Sequence, residues 1–203
     1  MSSTTKASVT CISYKSMKLK LLYGLAAVSL LLSCQSNSFQ INGIARTLQE
    51  GDTICLAYDE EPENVFAQAT VSNGKFVFAG ETDAFRLCRV YVKQQPDCSA
   101  TFFSEPGHIT IELYPRPAIS RVSGTKCNNE WQHLSDSIQL LTKDIVRILR
   151  HPATDTLTQQ RNTHAIDSLH RRMSDCILHT AQRNSDNPLG RYIQENYKKP
   201  EFK

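Results

Sequence analysis

No Cys-x-x-Cys, no His-Glu-x-x-His and no glycine-rich phosphate loop occurs in the 203 residues. The first absence removes the dithiol spacing that lowers a thiol pKa for disulfide exchange. The second and third remove a zinc-hydrolase helix and a nucleotide cradle. His108, His133, His151, His164, His170 and His179 show no ligand spacing with one another or with cysteine, so no metal and no cofactor is expected. The acids between Asp59 and Glu63, broken by Pro62, lack the spaced ligands and glycine of a calcium loop and read as a solvated loop. No apolar run approaches the roughly 20 residues of a spanning helix. Excess basic charge is missing where a partner would meet it. The formal net charge is +3, but four of the 23 basic residues (Lys6, Lys15, Lys18, Lys20) and none of the 20 acidic ones precede Cys34. From Cys34 onward 19 basic residues face 20 acidic ones, a net of about −1, which excludes nucleic acid as a partner.

What is present begins with an apolar run from Leu21 to Leu32, preceded by Lys18 and Lys20 and closed by Leu31-Leu32-Ser33-Cys34. The order of basic n-region, short apolar h-region and small residue is that of an export signal. With cysteine in register it resembles the lipobox of bacterial lipoproteins, in which a peptidase cuts between the positions of Ser33 and Cys34 once the thiol carries diacylglycerol. Met17 suits this n-region better than Met1, so residues 1–16 are read as an over-called start or extension, 17–33 as the signal peptide and 34–38 as the lipidated cysteine and a short tether. Multiple acyl chains hold a protein at a membrane stably without spanning it. Gln35 after the cysteine, rather than Asp, points to the outer membrane, facing the periplasm.

Beyond Cys11 and Cys34 there remain Cys55, Cys88, Cys98, Cys127 and Cys176, an odd number, so at least one is free or joined to another chain. An oxidising periplasm allows one structural disulfide, with the pair open. Cys55, between Ile54 and Leu56, and Cys176, on an apolar helical stripe, read as buried hydrophobes. Cys98, in the turn-like Gln95-Pro96-Asp97-Cys98-Ser99, is the expected exposed thiol.

The chain then divides by hydrophobic period. Residues 39–126 are strand-rich: Phe39 to Ile44 alternates with period two, and Thr53 to Tyr58, Leu87 to Val92 and Ile109 to Tyr114 read as strands. Phe66–Val71 and Lys75–Ala79 flank Ser72-Asn73-Gly74, whose Asn-Gly predicts a tight hairpin. Residues 127–203 are helical. Trp131, Leu134, Ile138, Leu141, Ile145 and Ile148 form one stripe and Ile166, Leu169, Met173, Cys176 and Thr180 another. Thr156-Leu157-Thr158-Gln159 has the form of a capping box, and Asn187-Pro188 starts a short third helix. The expected fold is α+β: an N-terminal antiparallel β-sandwich or partly open barrel, then an antiparallel helical pair and a short third helix packed on it.

Phe39-Gln40-Ile41-Asn42-Gly43, Val71 through Gly80, Ser104-Glu105-Pro106-Gly107-His108-Ile109-Thr110-Ile111, Val122-Ser123-Gly124-Thr125 with Asn128-Asn129, and Asn187-Pro188-Leu189-Gly190 occur in order behind the lipobox. In this order they resemble the domain of unknown function at the N-terminus of many thioredoxin-like, thiol–disulfide interchange lipoproteins of Gram-negative anaerobes, over nearly all of residues 39–197. Longer members continue into a redox domain with Trp-Cys-x-x-Cys. Lys203 ends this sequence before any such motif, so the family's catalysis attaches to no residue here.

Trp131, His133 and Asp136 are the most chemically suggestive cluster, but Trp131 is expected on a different helix face from the other two and no nucleophile accompanies them. Ser104 to Gly107 reads as turn chemistry. The favoured expectation is a non-catalytic envelope lipoprotein that binds a partner or ligand through its β-rich half. One alternative is an accessory module that docks a separate thioredoxin-like envelope protein or uses a free thiol. Another is a truncated reading frame whose missing end carries the Cys-x-x-Cys.

Overall fold

The burial alternation along β1 (Ser38–Ile44) places Phe39, Ile41 and Gly43 inward and Gln40 and Asn42 outward, the signature of a strand with one face on a core. The computed structural model describes residues 37–197. The expected signal peptide with Ser33, the expected lipid site Cys34, the expected early extension and the residues after Tyr197 lie outside the described residues.

Seven further strands follow: β2 (Thr53–Tyr58), β3 (Val65–Thr70), β4 (Lys75–Glu81), β5 (Leu87–Val92), β6 (Gln95–Phe103), β7 (Gly107–Glu112) and β8 (Arg121–Ser123). They form two four-stranded sheets with orders β4-β1-β7-β8 and β3-β2-β5-β6. Ile41, Ile54, Leu56, Val90, Phe102, Ile109, Ile111 and Leu113, each at most 1% exposed, fill the space between the sheets. The ring of Phe76 lies on Gly43, its cross-strand partner, where a Cβ would collide with it. Three helices complete the chain: α1 (Lys126–Leu149), α2 (Thr156–Arg183) and α3 (Pro188–Asn196). The α+β class and the order of sheets, helical pair and short helix are as the sequence predicts.

Four local expectations change. β1 and β7 pair in parallel, Phe39 opposite Gly107 through Ile44 opposite Glu112, so the first sheet is mixed rather than antiparallel. The Asn73-Gly74 turn forms with positive φ at both residues (52° and 67°). Ser72 and Lys75 exchange backbone bonds of 2.8 and 3.0 Å across it. The flanking strands then part: β3 pairs with β2 and β4 with β1, so the turn is a corner between sheets and not the tip of a long hairpin. A two-residue turn sets local pairing only; which sheet receives each strand depends on its distant partners.

The third change concerns Pro96-Asp97-Cys98. Val92 pairs with Gln95 and Tyr91 with Ser99, so these three residues form a bulge inside β6. Proline is admitted there because β6 is an edge strand. Fourth, α2 is capped by Asp155, one residue earlier than expected, whose carboxylate accepts from the Thr158 N–H at 2.8 Å.

Helix α1 is joined to the sheets by side-chain amides. Asn128, fully buried, accepts the Phe103 N–H through Oδ1 (2.7 Å) and donates from Nδ2 to the Phe103 carbonyl (3.0 Å) and Thr125 Oγ1 (2.8 Å). One turn later Gln132 Oε1 accepts the Val122 N–H at 2.7 Å. Phe103 ends β6 and Val122 is the centre of β8, the terminal strands of the two sheets. The helix thus satisfies one free edge of each sheet, where an exposed strand would otherwise invite pairing with another chain. Glu105 accepts the Cys127 N–H at 3.0 Å and supplies the end of α1 with the negative group that its own first turn lacks. Gly124, at φ +118°, packs against the His108 carbonyl so closely that a Cβ would collide with it.

A second apolar cluster surrounds this junction. Phe103 stacks on Phe85 at 4.4 Å between ring centroids and meets Trp131 and Tyr192 edge-on at 5.3 and 4.9 Å. Leu134, Ala181, Leu189 and Ile193 close around them, bringing α2 and α3 onto the outer side of the sandwich. Farther along the helical pair burial thins out. Leu141 and Leu169 are the last buried positions on their helices, while Leu149 and Leu157 are 64% and 57% exposed.

Asn128→Ala leaves the buried Phe103 N–H without a partner; the Phe103 carbonyl keeps only its bond from the Glu105 N–H. The expected loss is about 2–4 kcal/mol, read as a lower urea midpoint at unchanged slope. An unaltered midpoint would show that the Asn128 amide contributes nothing to holding α1.

Candidate functional site

Residues whose character suits chemistry or binding fall in two places, the buried thiols and an open groove. The five cysteines of the described residues are all free. Cys98, expected to be the exposed thiol, is instead fully buried. The bulge turns Asp97 to solvent and returns Cys98 to the core. Burial raises its pKa, with the Asp52 charge adding to the effect. Burial also pushes the Cys88 thiol up to about 11. At Cys127, burial and then the Glu105 carboxylate push the thiol up to about 12. A neutral buried thiol is a poor nucleophile, so these side chains act as small core residues. Cys55 is buried too, as expected, and Cys176 is half-buried against the second cluster.

All six histidines are exposed. Among the described residues no group of three His, Cys, Asp or Glu side chains is placed to hold a metal ion. Ser104 is structural: its hydroxyl donates to the Ala84 carbonyl (2.8 Å) and accepts the Arg86 N–H (3.0 Å). With Glu105 capping α1 and Gly124 packed on His108, most of the Ser104–Ile111 and Val122–Asn129 motif residues serve the joint between sheets and helices. The loop after β2 exposes Glu60, Glu61 and Glu63 to solvent, as expected, and is tied down at two points. Asp59 pairs with Arg89 at 2.8 Å, and the Tyr91 hydroxyl donates to the Pro62 carbonyl at 3.0 Å.

The groove lies where α1 stops covering the sheet edges. It encloses about 520 Å³ between Ser99, Ala100 and Thr101 of β6, the outer turns of α1, and the loop from Tyr114 to Ser120. Trp131, Gln132, Ser135, Asp136, Gln139 and Lys143 form the helical wall, spaced as one helix face. The expectation that Trp131 and Asp136 sit on different faces fails: both line this wall, and exposed His133 does not. The Trp131 indole N–H points to Thr101 Oγ1 at 3.4 Å.

The charges of the groove are partly neutralised from within. Asp136 receives Arg121 at 2.7 and 3.3 Å and the Gln132 amide at 2.8 Å. Partial burial acts to raise the Asp136 pKa, but hydrogen bonds from Arg121 and Gln132 and the Arg121 charge outweigh it and hold the carboxyl below its ordinary value. Arg89 is taken by Asp59. Arg116, Lys143 and Asp97 line the groove without an ion pair to any described residue. Sequence reasoning missed Ser99, Thr101, Arg116, Gln132 and Lys143. Of these only Gln132 carried a hint, as a second amide four residues after Asn128.

Two outcomes follow. In the folded protein, alkylation should spare Cys55, Cys88, Cys98 and Cys127, with Cys176 reacting first and all five reacting once unfolded; peptide mass spectrometry reads each site, and early labelling of Cys98 would contradict its burial. The lowered Asp136 pKa contributes stability that is present above the unfolded carboxyl value of about 3.9 and lost as pH falls through the folded value. Arg121→Met should therefore flatten the acid limb of the stability–pH curve slightly, as both partners are substantially exposed. An acid limb as steep as the wild type's would count against the pairing.

No curated protein matches this chain. Residues 39–131, from β1 into the second turn of α1 and including Glu105, Gly124 and Asn128, match the model of a family described as Domain of unknown function (DUF4369), in agreement with the resemblance to an N-terminal domain of unknown function, while the rest of the helical region lies beyond the match.

Proposed function

We propose that this protein is a non-catalytic lipoprotein of the cell envelope, anchored through lipid on Cys34, that binds a partner or ligand in the groove between β6, α1 and the Tyr114–Ser120 loop. The groove itself carries the reading. It is large enough for a small ligand or a few residues of a chain and is lined by hydroxyl, amide and charged groups beside one indole. No cysteine or histidine lines the groove, and of its two carboxylates Asp136 is committed to Arg121 and Gln132. The groups that remain are suited to recognition by hydrogen bonding. Anchoring rests on the Leu21–Cys34 pattern, and the outer membrane on Gln35.

Intact-mass analysis of the protein taken from membranes tests the anchor. The expected species begins at acylated Cys34, and a chain that keeps residues before Cys34 overturns this part. Native mass spectrometry of the full chain, extracted in mild detergent, tests the groove. Wild-type protein should carry added mass that a groove-filling Ser135→Trp variant of equal thermal stability lacks. Equal loading of both, or none on either, removes the groove from the proposal.

A further inference from the structure

The direction of the backbone in β6 decides what the groove can hold. The Ser104 N–H donates to the Arg86 carbonyl at 2.9 Å, so these two residues, just beyond the paired ends of β5 and β6, turn backbone groups toward each other. In an antiparallel ladder such pairs alternate with pairs whose backbone groups face away from each other. Phe103 opposite Leu87, Thr101 opposite Arg89 and Ser99 opposite Tyr91 are therefore the outward-facing set. The bond from the Phe103 N–H to Asn128 confirms the phase. Asn128 occupies the edge at Phe103 in place of a neighbouring strand. The next two outward positions, Thr101 and Ser99, are hydrogen-bonded to no further strand, and by the same alternation their backbone groups face the groove.

We propose that the groove captures a short extended peptide segment bearing carboxylate side chains, which pairs with the Ser99–Thr101 edge of β6 as an added strand. This rests on the groove being the binding site and names its occupant. Strand addition supplies main-chain hydrogen bonds, and flanking pockets read alternate side chains. Charge selects the peptide. Among the groove's ionic groups Arg89 and Asp136 are neutralised by protein partners, leaving Arg116 on the loop and Lys143 on α1 against Asp97 alone. The two free cations stand on different walls, the loop and α1, and offer partners to acidic side chains of an added strand. β6 tolerates the arrangement because its start is already bulged and carries Pro96, which leaves only a short length of edge open.

The test pans a random library of displayed peptides of about ten residues against the full chain in detergent, then measures the selected peptides on variants. Acidic peptides should be recovered. Ser99→Pro removes an N–H that β5 does not use, so the ladder persists while the added strand loses a donor and meets a proline ring. Binding should weaken by about tenfold or more on Ser99→Pro and remain on Ser99→Ala. Should Ser99→Pro fail to fold, the double charge reversal Arg116→Glu with Lys143→Glu, at two exposed side chains, should shift the recovered peptides from acidic to basic. Recovery of no peptide, recovery of basic peptides on the wild type, or equal binding to folded Ser99→Pro would overturn the proposal. If binding survives Ser99→Pro but is lost in Ser135→Trp, the groove stands and strand pairing falls. Self-association of the wild type that Ser99→Pro abolishes would assign the edge to a second copy and also overturn it.

Discussion

The amide of Asn128 substitutes for a missing β-strand, and much of the molecule's organisation depends on it. A sandwich of two four-stranded sheets ends in free edges whose backbone groups need partners. Asn128 bonds both the N–H and the carbonyl of Phe103 from a fully buried position, and Gln132 repeats half of that bond at Val122. Because the two amides are four residues apart on one helix, a single element meets both sheets. That placement brings Trp131 against Phe103 and lets α2 and α3 assemble the second apolar cluster outside the sandwich.

The same device defines where the molecule remains open. Helix α1 continues past Gln132 with Ser135, Asp136, Gln139 and Lys143 facing the groove, side chains that do not cover the β6 edge as Asn128 does. The transition from a closed to an open edge takes place within about two turns of helix. A polar groove bounded by a strand edge and a helix follows from this geometry. Its internal ion pairs, Arg121 with Asp136 and Arg89 with Asp59, fix its walls and leave Arg116 and Lys143 for an incoming group.

The cysteines show how local pattern and tertiary placement can disagree. Pro96-Asp97-Cys98 has the composition of a turn, and a turn would expose the thiol. The observed three-residue bulge arises because β6 regains register with β5 at Ser99, which depends on the pairing of Tyr91 and on the core that Cys98 enters. Cys55 needed no such information, since it sits in a central strand flanked by Ile54 and Leu56.

By itself the sequence determined the elements whose cause is local: the period-two strands, the two helical stripes, the Asn-Gly turn, the α3 cap at Asn187, and the absence of familiar catalytic or metal spacings. Tertiary structure alone decided which strands share a sheet, the parallel partnership of β1 and β7, the burial of Cys98, and the meeting of β6, α1 and the Tyr114–Ser120 loop in one groove. The physical reason is range. Periodicity and turn geometry act over a few residues, whereas edge pairing and burial are settled by contacts such as Asn128 with Phe103, 25 positions apart in the chain.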